Sequence, residues 1–440
     1  MSCLGKTMER LVNNRLQYHL EKNNLLNPIQ SGYRKNRSTE DQVTLLVQDI
    51  ENAFQMKMKT IAVFVDLTAA FDKVWKEGLL LKLLRKEING NMYNWIKNFL
   101  FQRTARVKID GFKSSLVKLR EGVPQGGVIS PTLFVIFIDD ITENLTSHIS
   151  RALHADDLAV WTASENLATA YVRMQITMEK LGKWAEEWLV TINKKKTEAT
   201  IFSLSPKTET VKLTINGEQI PQQDTPTYLG VKLDKRLTWA PHITNMESKA
   251  IKKMAVMKKL SGTKWGANTK ILKQVYTGSV RPQLEYGATS WGTAAKTNTN
   301  KLKKVQNASL RIITGAIKTT PISEMEKTTK LQPLENRRKE KCLIQGEKMK
   351  RLPSHPLHKR LEEPTKNRLK RSSPNHFVKS AQKEFESVLP SQTEATEKLA
   401  DYSEWNNKEI KIKTSIPGIG SKEEHSETQL KTLTLEHLNI

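Results

Sequence analysis

Three aspartates in two local settings carry the chemistry this chain can do. Asp66 closes the apolar run Ile61-Ala62-Val63-Phe64-Val65, and Asp156-Asp157 lies between Leu153-His154-Ala155 and Leu158-Ala159-Val160-Trp161. Between them in sequence stands Gly122-Val123-Pro124-Gln125-Gly126-Gly127-Val128-Ile129-Ser130-Pro131. A carboxylate at the end of a strand and a second pair in a tight hairpin can meet across one sheet. Such a cluster serves to hold two divalent cations beside a phosphate, with carboxylates bridging ions roughly 3.5–4 Å apart. Mg²⁺ suits the role because it takes few protein ligands and completes its octahedron with substrate oxygens and water; Mn²⁺ can stand in for it. Asp66 and Asp156 are the bridging candidates and Asp157 is the third carboxylate. The implied chemistry is phosphoryl transfer on a nucleic acid.

Crowded carboxylates raise one another's pKa values, so the cluster reads better as function than as packing. An Asp-Asp pair alone says little, since turns often contain one. The chain supplies its own control in Asp139-Asp140, which ends the apolar run Phe134-Val135-Ile136-Phe137-Ile138. That pair has no strand-turn-strand setting and reads as a solvated helix end.

Composition points the same way. Lys and Arg total 71 against 46 Asp and Glu in 440 residues, a formal charge of +25, while 38% of residues are hydrophobic. An excess that large repels itself unless the partner is polyanionic, which implies nucleic acid or an anionic surface. The length allows two or three domains, each with a real core. Two cysteines far apart, Cys3 and Cys342, exclude a disulfide framework and a Cys-rich zinc site. The chain therefore reads as intracellular, in the nucleus or cytoplasm. No apolar stretch approaches the roughly 20 residues of a membrane span, so no membrane partner is expected.

The elements that must position the aspartates follow from periodicity. Residues 1–60 read as polar helices, with Leu11, Leu16, Leu20, Leu25 and Leu26 on helical faces before Asn27-Pro28 breaks the pattern. Ser38 is placed to cap a second helix carrying Val43, Leu46, Val47 and Ile50. Ile61–Val65 is apolar and β-branched throughout, as in a strand buried on both faces. Thr68 is a plausible cap for a helix reaching Leu84 with Phe71, Val74, Leu79 and Leu83 as its stripe. Residues 91–101 continue helical, Asp110-Gly111 and Asn216-Gly217 signal hairpins, and an apolar helix follows Pro131. Residues 150–163 read as two strands joined at the Asp pair, 171–189 as an amphipathic helix, and 192–202 as strand. Basic helices dominate from Trp239 to about 350. The rest is rich in Pro, Ser, Thr, Lys and Glu and reads as disordered or loosely helical.

At this point the residues carry a resemblance. Val65-Asp66-Leu67-Thr68-Ala69-Ala70-Phe71-Asp72-Lys73-Val74 resembles the first catalytic motif of reverse transcriptases of non-LTR (LINE-type, jockey-like) retrotransposons. Glu121–Gly127 with Ser130, Pro131, Leu133 and Phe134 resembles the second, and Ala155-Asp156-Asp157 the third. Ser31-Gly32-Tyr33-Arg34 resembles a fingers motif, Trp188–Phe202 the fourth palm motif, and Tyr228-Leu229-Gly230 the primer-gripping fifth. Order and spacing agree from residue 1 to about 335; five ordered motifs are specific where one would not be.

The resemblance implies an α+β, right-hand polymerase. Residues 1–60 would be partial helical fingers, 61–235 a palm with a ferredoxin-like antiparallel sheet, 236–350 a helical thumb, and 351–440 a basic, disordered tail. The implied reaction is RNA-templated DNA synthesis, extending a DNA primer with dNTPs and two Mg²⁺ ions. Phe71 would exclude a 2′-hydroxyl, although a core aromatic has the same pattern. Pro124, Gln125 and Gly126 would pack on the nucleotide, although an ordinary Pro-Gly turn reads alike. Lys196 would act near pyrophosphate, with Lys194 and Lys195 as rivals; Arg34 and Arg37 would touch phosphate, and Leu229-Gly230 the primer.

Departures accompany the match. His154 stands where the family has an aromatic. The strands that precede the Ser31 motif in the family are missing, and neither an endonuclease, a Cys/His knuckle nor an RNase H set is evident. The chain is therefore expected to be truncated. Two other readings stay open: an inactive nucleic-acid-binding relic of such an enzyme, and an RNA-templated RNA polymerase, against which Phe71 argues. Oligomeric state is not legible.

Overall fold

The computed structural model describes residues 3–101, 103–207, 209–262, 265–353, 355–358, 369 and 372–389. Two helices, α1 (Cys3–Lys22) and α2 (Thr39–Gln55), precede strand β1 (Lys59–Val65), and α3 (Lys76–Arg85) and α4 (Gly90–Leu100) follow it. A ribbon of two-residue strands, β2 (Thr104–Ala105), β3 (Lys108–Ile109), β4 (Phe112–Lys113) and β5 (Val117–Lys118), leads to α5 (Ser130–Ile138). Then come β6 (Ser150–His154), β7 (Asp157–Ser164), α6 (Leu167–Glu187) and β8 (Glu198–Phe202).

These four longer strands form one sheet in the order β6-β7-β1-β8, with every neighbour antiparallel. α3 to α5 lie between β1 and β6 in sequence, and α6 lies between β7 and β8, so the connectivity is β-α-β-β-α-β. β1 is central, and the strand alternation divides its side chains between two cores. Ile61, Val63 and Val65 join one with α1, α3, α5 and α6; Ala62 and Phe64 join the other with α2 and the C-terminal helices. A strand buried on both faces needs a continuous apolar run, and Ile61–Val65 supplies it.

Past β8, β9 (Thr214–Ile215) with β10 (Glu218–Gln219) and β11 (Thr227–Tyr228) with β12 (Val231–Lys232) form small hairpins. Asp110-Gly111, Asn216-Gly217 and Leu229-Gly230 all have positive φ at both central residues, the geometry of tight hairpin turns. The remaining helices are α7 (Ala240–Lys259), α8 (Thr269–Val275), a π-helical turn (Tyr276–Val280), α9 (Arg281–Glu285), α10 (Ala288–Trp291), α11 (Lys296–Thr314), α12 (Ile322–Thr329), α13 (Leu334–Arg351) and α14 (Pro374–Glu384). No helix among the described residues is long and apolar enough to cross a membrane.

Three expectations change. The helix predicted from Thr68 begins only at Lys76; residues 68–73 form a run of turns instead, with Ala69 at φ +48. Their backbone bonds go elsewhere: Thr68 N to Thr191 O, Val123 N to Phe71 O and Gly122 N to Val74 O. Asp139 and Asp140 are not solvated, since Lys86 and Lys82 bond them at 2.6 Å each and Asp139 is buried. In the tail expected to be disordered or loosely helical, Pro374–Glu384 is a regular helix that buries Val378 and Ala381 against α13. The reading of residues 390–440 lies outside the described residues.

Candidate active site

The register of the central pair decides where the aspartates sit. Val65 pairs with Leu158 in the antiparallel β1–β7 ladder, so one further step sets Asp66 opposite Asp157. Side chains alternate along a strand, and Phe64 and Ala159 point to the α2 side. Asp66 and Asp157 therefore emerge on that same face, at one end of the sheet. Asp156 is the neighbour of Asp157 in the tight turn where His154 pairs with Asp157.

The backbone of Asp66 is held at both ends of its peptide. Its carbonyl accepts from Asn193 N at 2.7 Å, and its N–H donates to Thr197 Oγ1 at 3.2 Å. Ala155, one residue ahead of the Asp pair, has φ +57, an uncommon conformation for a residue with a side chain.

The charges interact. Asp157 keeps solvent access, yet burial of its surroundings, then Asp156, then Asp66, pushes its carboxyl up to about 6. Burial and then Asp157 hold the Tyr228 hydroxyl in its neutral form, and burial and then Asp156 raise that of Tyr33. Burial lowers His154 despite the nearby Asp156. Glu198, opposite Phe64 on the neighbouring strand, is raised by burial.

The glycine-containing loop lies against the segment that follows Asp66. Gly122 has φ +81, and a Cβ there would meet Asp72 O at 2.6 Å, so only glycine fits. Pro124 is buried and Gly127 N closes a turn on its carbonyl at 3.1 Å. Gln125 is exposed and donates to both carboxylate oxygens of Asp72 at 2.7 and 2.9 Å. Gly126 has φ +77 with open space where a Cβ would stand, so its backbone faces outward unhindered. Phe71 stacks on Phe134 at 4.2 Å and meets Tyr33 edge-on at 6.2 Å.

The other sequence candidates divide. Lys194 is paired with Glu218 at 2.6 Å, whereas Lys195 and Lys196 are exposed. Arg34 is not a free cation: it makes two 2.7 Å bonds to the Glu21 carboxylate and others to the carbonyls of Asn27 and Gln30, tying α1 to the loop. Arg37 bonds the Pro28 carbonyl and is lowered to about 10 by burial and then by Arg34. Leu229 O accepts from the Tyr286 hydroxyl at 2.7 Å, and Tyr228 packs on Phe64 at 5.3 Å, so the Leu229-Gly230 turn is fixed beside Asp157.

Sequence reasoning missed Gln30, Asn193 and Thr197 as supports of the site. It also missed Glu9, whose carboxylate caps the start of α5 by accepting from Val128 N at 2.6 Å. A single polar residue, in a loop or buried on a helix as Glu9 is, carries no period of its own, and only its partners reveal it.

Among the described residues no three acidic, histidine or cysteine side chains converge closely enough to hold a metal ion unaided. The three aspartates nonetheless fit a cation that uses one or two carboxylates and takes its other ligands from phosphate and water. Burial first, then Asp156 and Asp66, raise the Asp157 carboxyl, and a cation would offset the part that comes from the two carboxylates.

Residues 1–233 match the family of reverse transcriptases (RNA-dependent DNA polymerases). The RNA-directed DNA polymerase from mobile element jockey of Drosophila melanogaster is 33% identical over 362 residues, covering 81% of this chain and 39% of that protein. The probable RNA-directed DNA polymerase from transposon BS of the same fly is 33% identical over 323 residues, 71% of this chain and 35% of that protein. The chain thus spans well under half the length of these relatives. Among solved structures, apo telomerase from Candida tropicalis is similar over 73% of this chain and 51% of that chain, at 12% identity and a TM-score of 0.42.

Proposed function

The chain belongs to the reverse transcriptase (RNA-dependent DNA polymerase) family, and from that premise we propose that it extends a DNA primer on an RNA template with dNTPs, as the polymerase of a non-LTR retrotransposon. One observation carries the reading: Asp66 and Asp157 stand opposite each other at one end of the sheet, with Asp156 beside them.

In this reading Asp66, Asp156 and Asp157 would hold two Mg²⁺ ions, or Mn²⁺ in their place. Bound there, the ions supply Lewis acidity that lowers the pKa of the primer hydroxyl and neutralises the leaving pyrophosphate. The chain's own groups do the rest. Phe71, braced by Phe134 and Tyr33, presents a ring against the sugar and excludes a 2′-hydroxyl. Gln125 and Gly126 face outward on a turn that offers backbone and a carboxamide to the nucleotide. Lys196 is an exposed cation for the departing pyrophosphate, with Lys195 as its neighbour in the same role. The Leu229-Gly230 turn lies beneath the primer end, and Arg37 lies toward the template.

The organisation we propose is a right-hand polymerase. Residues 1–60 serve as fingers, 61–235 as a palm on a ferredoxin-like sheet, and 236–350 as a thumb, with a basic tail after 351. Basic helices such as α7 and α11, with Lys252, Lys253, Lys301, Lys303 and Lys304, suit the duplex backbone and not its sequence. Work on nucleic acid places the protein inside the cell, in nucleus or cytoplasm.

The test is primer extension on an RNA template with dNTPs and Mg²⁺, run beside Asp156→Asn. Extension by the parent and none by the variant is the expected result. Extension by both would overturn the metal assignment, and extension by neither would overturn the polymerase reading of this chain.

A further inference from the structure

Gln30 is fully buried one residue before the Ser31-Gly32-Tyr33 segment, and its side chain reaches the turn that carries Asp156 and Asp157. Its Oε1 accepts from Gly32 N at 2.7 Å and from Ala155 N at 2.9 Å. Two donors on one atom fix which end of the carboxamide is oxygen, since an NH₂ there would face two N–H groups. The segment lies along the free edge of β6: Gln30 bridges Leu153 in parallel, and Ser31 N donates to Leu153 O at 2.9 Å. Gln42 Nε2 secures it from α2, donating to Ile29 O at 3.1 Å and to the Ser31 hydroxyl. A Cβ on Gly32 would meet Ala155 N at 2.3 Å, so the two backbones touch.

We propose that Gln30 is a positioning residue for nucleotidyl transfer, locking the Ala155-Asp156-Asp157 turn to the segment that ends in Tyr33. The proposal rests on the reading of Asp156 and Asp157 as reacting-site carboxylates. Ala155 needs such a lock because its positive φ is held by its surroundings and not by its own preference. An apolar side chain of the same size would fill the space but leave two buried N–H groups without an acceptor. Tyr33, three residues on, meets Phe71 in a T-shaped contact. One carboxamide therefore sets the acidic turn and the ring beside Phe71 relative to each other.

The variants are Gln30→Met, which keeps the volume and removes the acceptor, and Gln30→Glu, which keeps an acceptor oxygen whether ionised or protonated. Three readouts use the full chain: hydrogen exchange at the Gly32 and Ala155 amides, Mn²⁺ binding followed by its paramagnetic resonance, and steady-state primer extension. Gln30→Met is expected to speed exchange at both amides and to weaken Mn²⁺ binding about 10- to 100-fold, with kcat falling by a similar factor and the KM for dNTP holding within about twofold. Gln30→Glu is expected to recover most of each. Parent-like exchange and Mn²⁺ binding in Gln30→Met would overturn the proposal, as would failure of Gln30→Glu to recover either. Should Gln30→Met lose its fold by circular dichroism, Gln30→Asn, whose oxygen falls one methylene short, is read in the same way. A parent that extends no primer would overturn the polymerase reading, while exchange and Mn²⁺ binding would still decide the role of Gln30.

Discussion

Asp66 and Asp157 face each other across β1 and β7, one register step past the Val65–Leu158 pair and on the face that carries Phe64 and Ala159. Directly opposed residues in an antiparallel pair have Cβ atoms about 4.5–5.5 Å apart, close enough for two carboxylates to share a cation. Asp66→Asn keeps the shape and removes the charge. Extension should fall at least about 100-fold, with duplex binding retained in a filter or anisotropy assay. A variant that extends normally would show that the opposed pair has no part in the reaction.

The same crowding predicts a pH response. The Asp157 carboxyl rises from its ordinary 3.8 to about 6, through burial first, then Asp156, then Asp66. Between those two values the folded protein keeps a proton that the unfolded chain has released. Stability of the metal-free protein therefore falls as pH rises through that window, and the loss persists above it. Asp157→Asn removes the charge and should raise Tm at pH 7.5 by roughly 2 °C, a gain kept small by solvent access. Mg²⁺ should raise the parent's Tm at pH 8 far more than at pH 5, and should raise the variant's less than the parent's at pH 8. Calorimetry across pH checks both, and a variant less stable than the parent at pH 7.5 would contradict the sign.

Phe71 has two available roles, and one substitution separates them. Its ring stacks on Phe134 with an interplanar angle of 20° and receives the edge of Tyr33 at 84°. Phe71→Val should lower stability by about 1–3 kcal/mol, because part of an aromatic stack is lost. If the ring also excludes the 2′-hydroxyl, the preference for dNTPs over rNTPs should fall about 10- to 200-fold in competitive extension. A lower Tm with unchanged discrimination would leave Phe71 a packing residue only.

Local pattern made some of this legible before the fold was known. Ile61–Val65 is a two-faced buried strand because no polar residue interrupts it, and the Asp156-Asp157 turn follows from apolar runs on both sides. Asp110-Gly111 and Asn216-Gly217 are residues that accept positive φ, so their hairpins were readable. The segment after Asp66 was not. Phe71 and Val74 have helical spacing, but their carbonyls accept from Val123 and Gly122, about fifty residues on, and no local rule reports such partners. Arg34 looked free because Glu21 is thirteen residues away, and Asp140 looked solvated because Lys82 lies on another helix. Gln30 is a single polar residue with no period at all. In each case the missing information was a tertiary partner.

Asp41 ties the start of α2 to the C-terminal helices and supplies the last prediction. Its Oδ2 accepts from Ser38 N at 2.7 Å and Lys348 Nζ at 2.9 Å and lies 3.2 Å from His355 Nε2, and its Oδ1 accepts from Gln345 Nε2 at 2.8 Å. His355 Nδ1 accepts from Leu357 N at 3.1 Å, which fixes the ring beside Asp41. Burial alone would raise the carboxyl, but the bonds and charges of His355 and Lys348 outweigh it and hold Asp41 at about 2. A depressed folded pKa contributes stability above the unfolded value of 3.8, and that contribution is lost as pH falls from there through about 2. Asp41→Ala strands Lys348 and Gln345 and removes the carboxylate beside His355, so it should cost about 3–5 kcal/mol. At roughly 2–4 °C per kcal/mol, the expected drop in Tm at pH 7 is on the order of 10 °C. The gap between variant and parent should also close on acidification from pH 4 toward pH 2, since the parent then loses what the variant never had. A gap that stays constant with pH would place the cost in packing and not in this carboxylate.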